Sequence, residues 1–303
     1  MAEEKKVLLY GEEKRYAVGT PLLQIAKEYQ DREPYDIVLA MRNHKLCELH
    51  KTVEEDCSIE FITCAKKAGM QAYKRSMILL ALRAFYDVMG SEHIDRIYVD
   101  FSIGKGYYCK FRGEPGLDQQ TLEAVEKRMR ALAAEDIPIK KRTMETDKAL
   151  VLFQKYRMYD KERLFRYRKV PKVNIYSLNG FEDYYYGDMV PSTGYLKYFK
   201  LYLYEDGFVI QMPTEENPTE LAPFYAQHKL FKVMQEATNW SELLDVDTVG
   251  DLNVQITKGN IKDIILVQEA LQEGRIARLA EKIAESGKKI VMIAGPSSSG
   301  KTT

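Results

Sequence analysis

The last nine residues, GPSSSGKTT (Gly295 to Thr303), constrain this chain most, because they fit the phosphate-binding pattern G-x-x-x-x-G-K-[ST]. Gly295 and Gly300 are its glycines, Lys301 its lysine and Thr302 its hydroxyl. Such a loop follows a buried strand, and the residues before it, KKIVMIAG (Lys288 to Gly295), are apolar and β-branched as that strand requires. In a working loop the backbone N–H groups close around phosphate oxygens, lysine neutralises the outer phosphates and threonine ligates magnesium. A helix must follow to hold the phosphate at its N-terminus, and a later acidic residue must hold the metal. The chain therefore reads as the front of a larger enzyme. Gly295, Ser297, Ser298, Ser299, Gly300, Lys301, Thr302 and Thr303 are the expected nucleotide-binding residues, with Thr302 also the Mg2+ ligand. No catalytic residue is expected in this chain, and no ATP, Mg2+ or zinc is expected on this piece alone.

The length of 303 residues suits two or three domains. Lys+Arg and Asp+Glu are equal at 45 each, so no global field draws the chain to nucleic acid or membrane. The start, MAEEKKVLLYGEEKRY, lacks a signal-peptide core, and a cytoplasmic protein is the expectation. Cys47, Cys57, Cys64 and Cys109 match no zinc spacing and suit reduced thiols. A His50–Cys57 metal pair is conceivable, but the spacing favours two unrelated residues.

Residues 3–64 read as two short strands, a helix over Pro21–Gln30 capped by Thr20, and three more strands, a β-grasp order. A long helix, AYKRSMILLALRAFYDVMG, carries Met77, Leu80, Ala81, Ala84, Phe85 and Val88 at helical spacing and stops at Gly90. Two strands joined across Gly104-Lys105-Gly106 follow, then a helix capped by Asp118, a strand IPIKKRTM and a helix ETDKALVLFQKY. Hairpins are predicted around Asn179-Gly180 and Asp206-Gly207. Tyr184, Tyr185 and Tyr186 would alternate across a strand, available for base stacking or for packing within a core. A helix is predicted over Phe224–Trp240, a linker over 241–259 and a long helix closed by Gly287. Residues 140–172 hold twelve Lys/Arg against four Asp/Glu, a net +8, and suit either an RNA backbone or a solvated surface.

Several stretches are similar to the N-terminal half of threonyl-tRNA synthetases. These are DCSIEFITCAKKAG, GKGYYCKF, TLEAVEKRMRALA and DYYYGDMVPSTG (Asp183 to Gly194). The resemblance implies an α+β chain: a TGS-like β-grasp domain over 1–65, an editing-like α+β domain over 66–240, a helical linker over 241–287, and the first strand of a P-loop α/β domain from 288. Editing domains of this kind carry H-x-x-x-H and C-x-x-x-H. Here those positions are Arg75 and Leu79, then Tyr185 and Met189, so hydrolysis is expected to be absent. The synthetase-like front joined to the terminal loop also resembles bacterial fused nucleoside kinases of the uridine kinase type. That resemblance implies ATP-dependent phosphorylation of uridine or cytidine in the intact protein. The alternatives are an RNA- or tRNA-binding module with a dead editing domain, and a region that binds an effector or a second subunit.

Overall fold

The computed structural model describes residues 3–295 and 297. β1 (Glu4–Leu9) and β2 (Glu12–Ala17) form a hairpin with Leu9 opposite Glu12. The turn residues Tyr10 and Gly11 both have positive φ (51° and 80°), the handedness that a two-residue hairpin needs. α1 (Leu22–Glu28) follows, burying Leu22, Ile25 and Ala26. Its N-terminus differs from expectation: Pro21 occupies the cap position, and the Thr20 hydroxyl donates back to Ala17 O at 2.7 Å. β3 (Ile37–Arg42), β4 (Lys45–Glu48) and β5 (Cys57–Thr63) complete a sheet of order β2-β1-β5-β3-β4. The β1–β5 pair is parallel and the others antiparallel, so the sheet is mixed. Its buried face, with Val7, Leu9, Ile37, Ile59 and Phe61, packs on α1.

α2 (Lys67–Met89) runs 23 residues and buries Met77, Leu80, Ala81, Ala84 and Phe85 of the stripe predicted for it, while Val88, the last residue of that stripe, is exposed. It ends at Gly90 (φ 83°), whose N–H reaches Tyr86 O. β6 (Arg96–Ile103) and β7 (Gly106–Arg112) turn across Gly104 and Lys105. α3 (Gln119–Ala134) starts at Asp118, whose carboxylate accepts from Thr121 N at 2.7 Å. β8 (Lys140–Glu145), α4 (Thr146–Lys155) and α5 (Tyr159–Tyr167) precede the Asn179-Gly180 hairpin of β9 (Lys172–Leu178) and β10 (Phe181–Tyr184). β11 (Lys200–Tyr204) and β12 (Gly207–Gln211) close a second hairpin. Two further antiparallel sheets result, β10-β9-β8 and β11-β12-β7-β6. The chain is α+β.

α6 (His228–Leu243) begins four residues later than predicted, and its Phe231 packs among Phe101, Tyr108 and Tyr204. The predicted linker is not all linker, because α7 (Val249–Lys258) forms within it. The reason is local: the Thr248 side chain accepts from Asp251 N and the Asp251 carboxylate accepts from Thr248 N, a reciprocal cap. Gly259 then takes the left-handed conformation that stops the helix. α8 (Ile261–Glu285) is present, but none of its residues is buried.

The chain divides into two compact units. One comprises residues 1–157 and 169–239; the other comprises 158–168 and 240–303. In the second unit α5 and α7 pack together, with Arg163 Nε 2.7 Å from Asp251 Oδ1. The strand predicted over Lys288–Gly295 does not form. Ile290 and Met292 are 82% and 91% exposed, and no neighbouring strand among the described residues supplies the ladder hydrogen bonds a strand needs. Among the described residues no helix is long and apolar enough to cross a membrane.

Candidate functional site

Arg75 and Leu79 lie one turn apart on α2 and share a face. Leu79 is fully buried, while the Arg75 guanidinium reaches the segment after β10 and donates to Asp188 O. It lies against Gly187, whose φ is +115° and where a Cβ would sit 2.7 Å from Arg75 Cζ. Glycine is needed there both for the backbone and for the guanidinium. Met189 is buried with Sδ 3.2 Å from Ser76 Oγ, and Ser76 Oγ accepts from Val190 N at 3.0 Å. The Tyr185 ring lies edge-on to Tyr176, 6.4 Å between centroids. Burial, and then Asp183, push the Tyr185 phenol well above its ordinary pKa. β10 stops at Tyr184, so the expected alternation of three tyrosines along a strand gives way: Tyr186 is 80% exposed. The fold thus gathers Arg75, Tyr185 and Met189 around Tyr176 and residues 187–189.

The centre of this arrangement is a residue that sequence reasoning missed. Glu48, at the end of β4, is 4% exposed. Its Oε1 accepts from Tyr176 OH at 2.6 Å and Met189 N at 2.9 Å, and its Oε2 accepts from Lys141 Nζ at 2.9 Å. The Tyr176 hydroxyl is also 2.7 Å from Gly187 O, one hydrogen between two acceptors. Lys141 lies 3.7 Å from Asp188 Oδ1, and His50 Nδ1 lies 3.5 Å from Glu48 Oε2. Burial holds the His50 imidazole below its usual pKa. A cavity of about 400 Å³ adjoins this cluster, lined by Leu23, Glu48, His50, Lys141, Met189 and Pro191 among others. Nothing in the sequence marks Glu48, because a single glutamate at a strand end looks solvated.

Asp188 gives a testable pH dependence. Burial first, and then the Glu48 charge, raise its carboxyl above the ordinary range, against lowering by Lys141 and Arg75. A raised carboxyl contributes stability that is complete below the unfolded-state pKa of about 3.9 and is lost as pH rises through the folded-state value. Asp188→Asn is therefore expected to raise the thermal midpoint at neutral pH and to match the parent chain near pH 4. Equal midpoints at both pH values would contradict this.

The other sequence-derived sites fare differently. Ser298, Ser299, Gly300, Lys301, Thr302 and Thr303, with the Mg2+ role of Thr302, lie outside the described residues; Gly295 and Ser297 are described and exposed. All four cysteines are free thiols, with Cys57 facing the core across from Val7 and His50 turned toward Glu48. Among the described residues no three His, Cys, Asp or Glu side chains are grouped to hold a metal. The basic run 140–172 is divided between the two units. Part of its net charge is matched by acids outside the run: Lys141 with Glu48, Arg142 with Glu182 and Arg163 with Asp251.

No protein-family model matches the chain. Threonine–tRNA ligase of Thermotoga neapolitana is 28% identical over 200 residues, 65% of this chain and 30% of that protein. The enzyme of Desulforamulus reducens is 28% identical over 198 residues, 65% of this chain and 31% of that protein. This chain is similar to threonine–tRNA ligases. The match takes in less than a third of those proteins' length. It corrects the nucleoside-kinase reading: these relatives are named for threonine and tRNA, and uridine or cytidine as partner has no support among them. The kinase and P-loop assignment conflicts with those names, and the strand expected over Lys288–Gly295 is not formed.

Proposed function

We propose that this chain is an RNA-binding, non-hydrolytic counterpart of the front region of a threonine–tRNA ligase. In this reading the first sheet with α1 is a TGS-type β-grasp unit, and the α2–β12 region is editing-like. The observation that carries it is the meeting of Arg75, Tyr185 and Met189 at one place, with Leu79 one turn along α2. Those are the positions where an editing site would hold its histidine pair and its cysteine–histidine pair. The chemistry there is wrong for hydrolysis. A guanidinium stays protonated, so it neither abstracts a proton nor binds a metal. Leucine and methionine offer no base, and the phenol of Tyr185 is held protonated by burial. The side chains instead fill the pocket: Arg75 ties down Asp188 O and Ser76 ties down Val190 N. A bound tRNA would not be deacylated.

The test is incubation of the chain with tRNA mis-charged with serine. The ester is expected to decay at the rate in buffer alone, while tRNA binding is retained and weakens with salt. Ester loss faster than in buffer would overturn the non-hydrolytic part. Absence of tRNA binding would overturn the RNA part.

A further inference from the structure

We infer that RNA phosphates dock in the open cleft between α1, the end of α3 and residues 194–199, a refinement that rests on the RNA-binding reading. The cleft has a volume of about 820 Å³, and Lys27, Asp36, Arg130, Tyr195, Lys197 and Phe199 are among its lining residues. Its cations face solvent. Lys27 is exposed, and the Arg130 and Lys197 side chains are 49% and 54% exposed. Lys200 adds a third half-exposed cation beside Arg130, both bound to Glu126.

The carboxylates are largely committed to internal contacts. Glu126 is recessed beneath the surface, where it accepts from Leu201 N at 3.0 Å, Arg130 at 2.9 Å and Lys200 at 3.1 Å. Asp136 Oδ1 accepts from Ser192 Oγ and from Gly194 N. Asp36 is the exception, a 3.1 Å surface pair with Lys197 that yields readily to a phosphate. The Arg130 guanidinium is held 4.6 Å over the Phe199 ring and donates to Phe199 O, so its fork is fixed in place before any ligand arrives. Around the cleft the four cations Lys27, Arg130, Lys197 and Lys200 outnumber the three carboxylates Asp36, Glu126 and Asp136, a local excess of one positive charge on a chain of zero net charge, and the recessed acid among them is Glu126. By contrast, the basic run 140–172 spends Lys141 on Glu48 and is divided between two units.

The experiment is fluorescence anisotropy with labelled unfractionated tRNA, titrated with the whole chain across a salt series. Lys27→Gln/Lys197→Gln is expected to raise Kd about 10-fold near 0.1 M salt and to make the slope of log K against log salt shallower by roughly 1.5. Both lysines are at the surface, and an unchanged thermal midpoint confirms the variant is folded. The control, Lys148→Gln/Lys169→Gln, is expected to leave Kd within about 2-fold because its cations lie outside the cleft. Parent-level affinity and slope in the cleft variant, with the parent chain binding, would overturn the cleft and leave the RNA reading standing. A larger loss in the control pair would do the same. No binding by the parent chain would overturn both.

Discussion

Glu48→Ala is expected to destabilise the first unit by about 3–5 kcal/mol, the usual cost of breaking a buried ion pair from one side. The carboxylate accepts from Tyr176, Met189 N and Lys141 at 2.6–2.9 Å. Its removal leaves Met189 N without its acceptor and Tyr176 OH with Gly187 O alone, and Lys141, whose side chain is only 17% exposed, keeps its charge with Asp188 3.7 Å away. For a unit of this size the thermal midpoint should fall by roughly 6–20 °C. Glu48→Leu with Lys141→Met should recover part of the loss, because the buried charge goes with its partner. A change of less than about 0.5 kcal/mol in Glu48→Ala would mean that the cluster contributes nothing to stability. The prediction separates two roles for the residues around 187–189. If Glu48 is the anchor, its loss releases that segment, which should then exchange amide hydrogens at Met189 faster than at Ile175 on β9.

Gly69→Ala should be nearly as damaging, and for a different reason. Gly69 stands in the first turn of α2, where a Cβ would lie 2.1 Å from Thr63 O and 2.7 Å from Thr63 C. Both are backbone atoms at the end of β5, so no side-chain rotation relieves the overlap. Alanine normally favours a helix over glycine by about 1 kcal/mol. Here the clash reverses the sign: α2 must lift off β5, and a net cost of about 3 kcal/mol is expected. The helix buries eleven residues, so its displacement spreads through the unit and moves Arg75 off Asp188. Gly116→Ala is the control, with nothing within 4 Å of its added Cβ. Urea midpoints of the two variants decide the matter, and a stabilised Gly69→Ala would show that the helix and strand do not approach this closely.

Both residues show where reading the sequence stops. The order of strands and helices through β12, apart from α5, was legible because turn chemistry and apolar period act locally. Asn179-Gly180 made a hairpin, Asp118 capped α3, and the stripe from Met77 to Phe85 faced inward. α7 was legible too and was overlooked: Thr248 followed three residues later by Asp251 is a capping pair, with an acid shorter than the usual Glu. The strand over 288–295 was read from composition, but a strand is defined by its partners, and composition does not supply them. The positions Arg75, Leu79, Tyr185 and Met189 could be lined up by motif, yet their meeting depends on a chain reversal more than a hundred residues long.

What the sequence by itself determined is the run of local elements and the identity of the side chains at the editing-like positions. Those follow from backbone preference and from aligned motifs, which need only near neighbours. The tertiary structure alone decided that Glu48, from the first sheet, holds Tyr176, Lys141 and Met189, and that Glu126 sinks beneath Arg130 and Lys200. Whether a carboxylate is solvated or buried among donors depends on what distant segments bring to it, and desolvation and pairing are properties of that shared volume rather than of the residue.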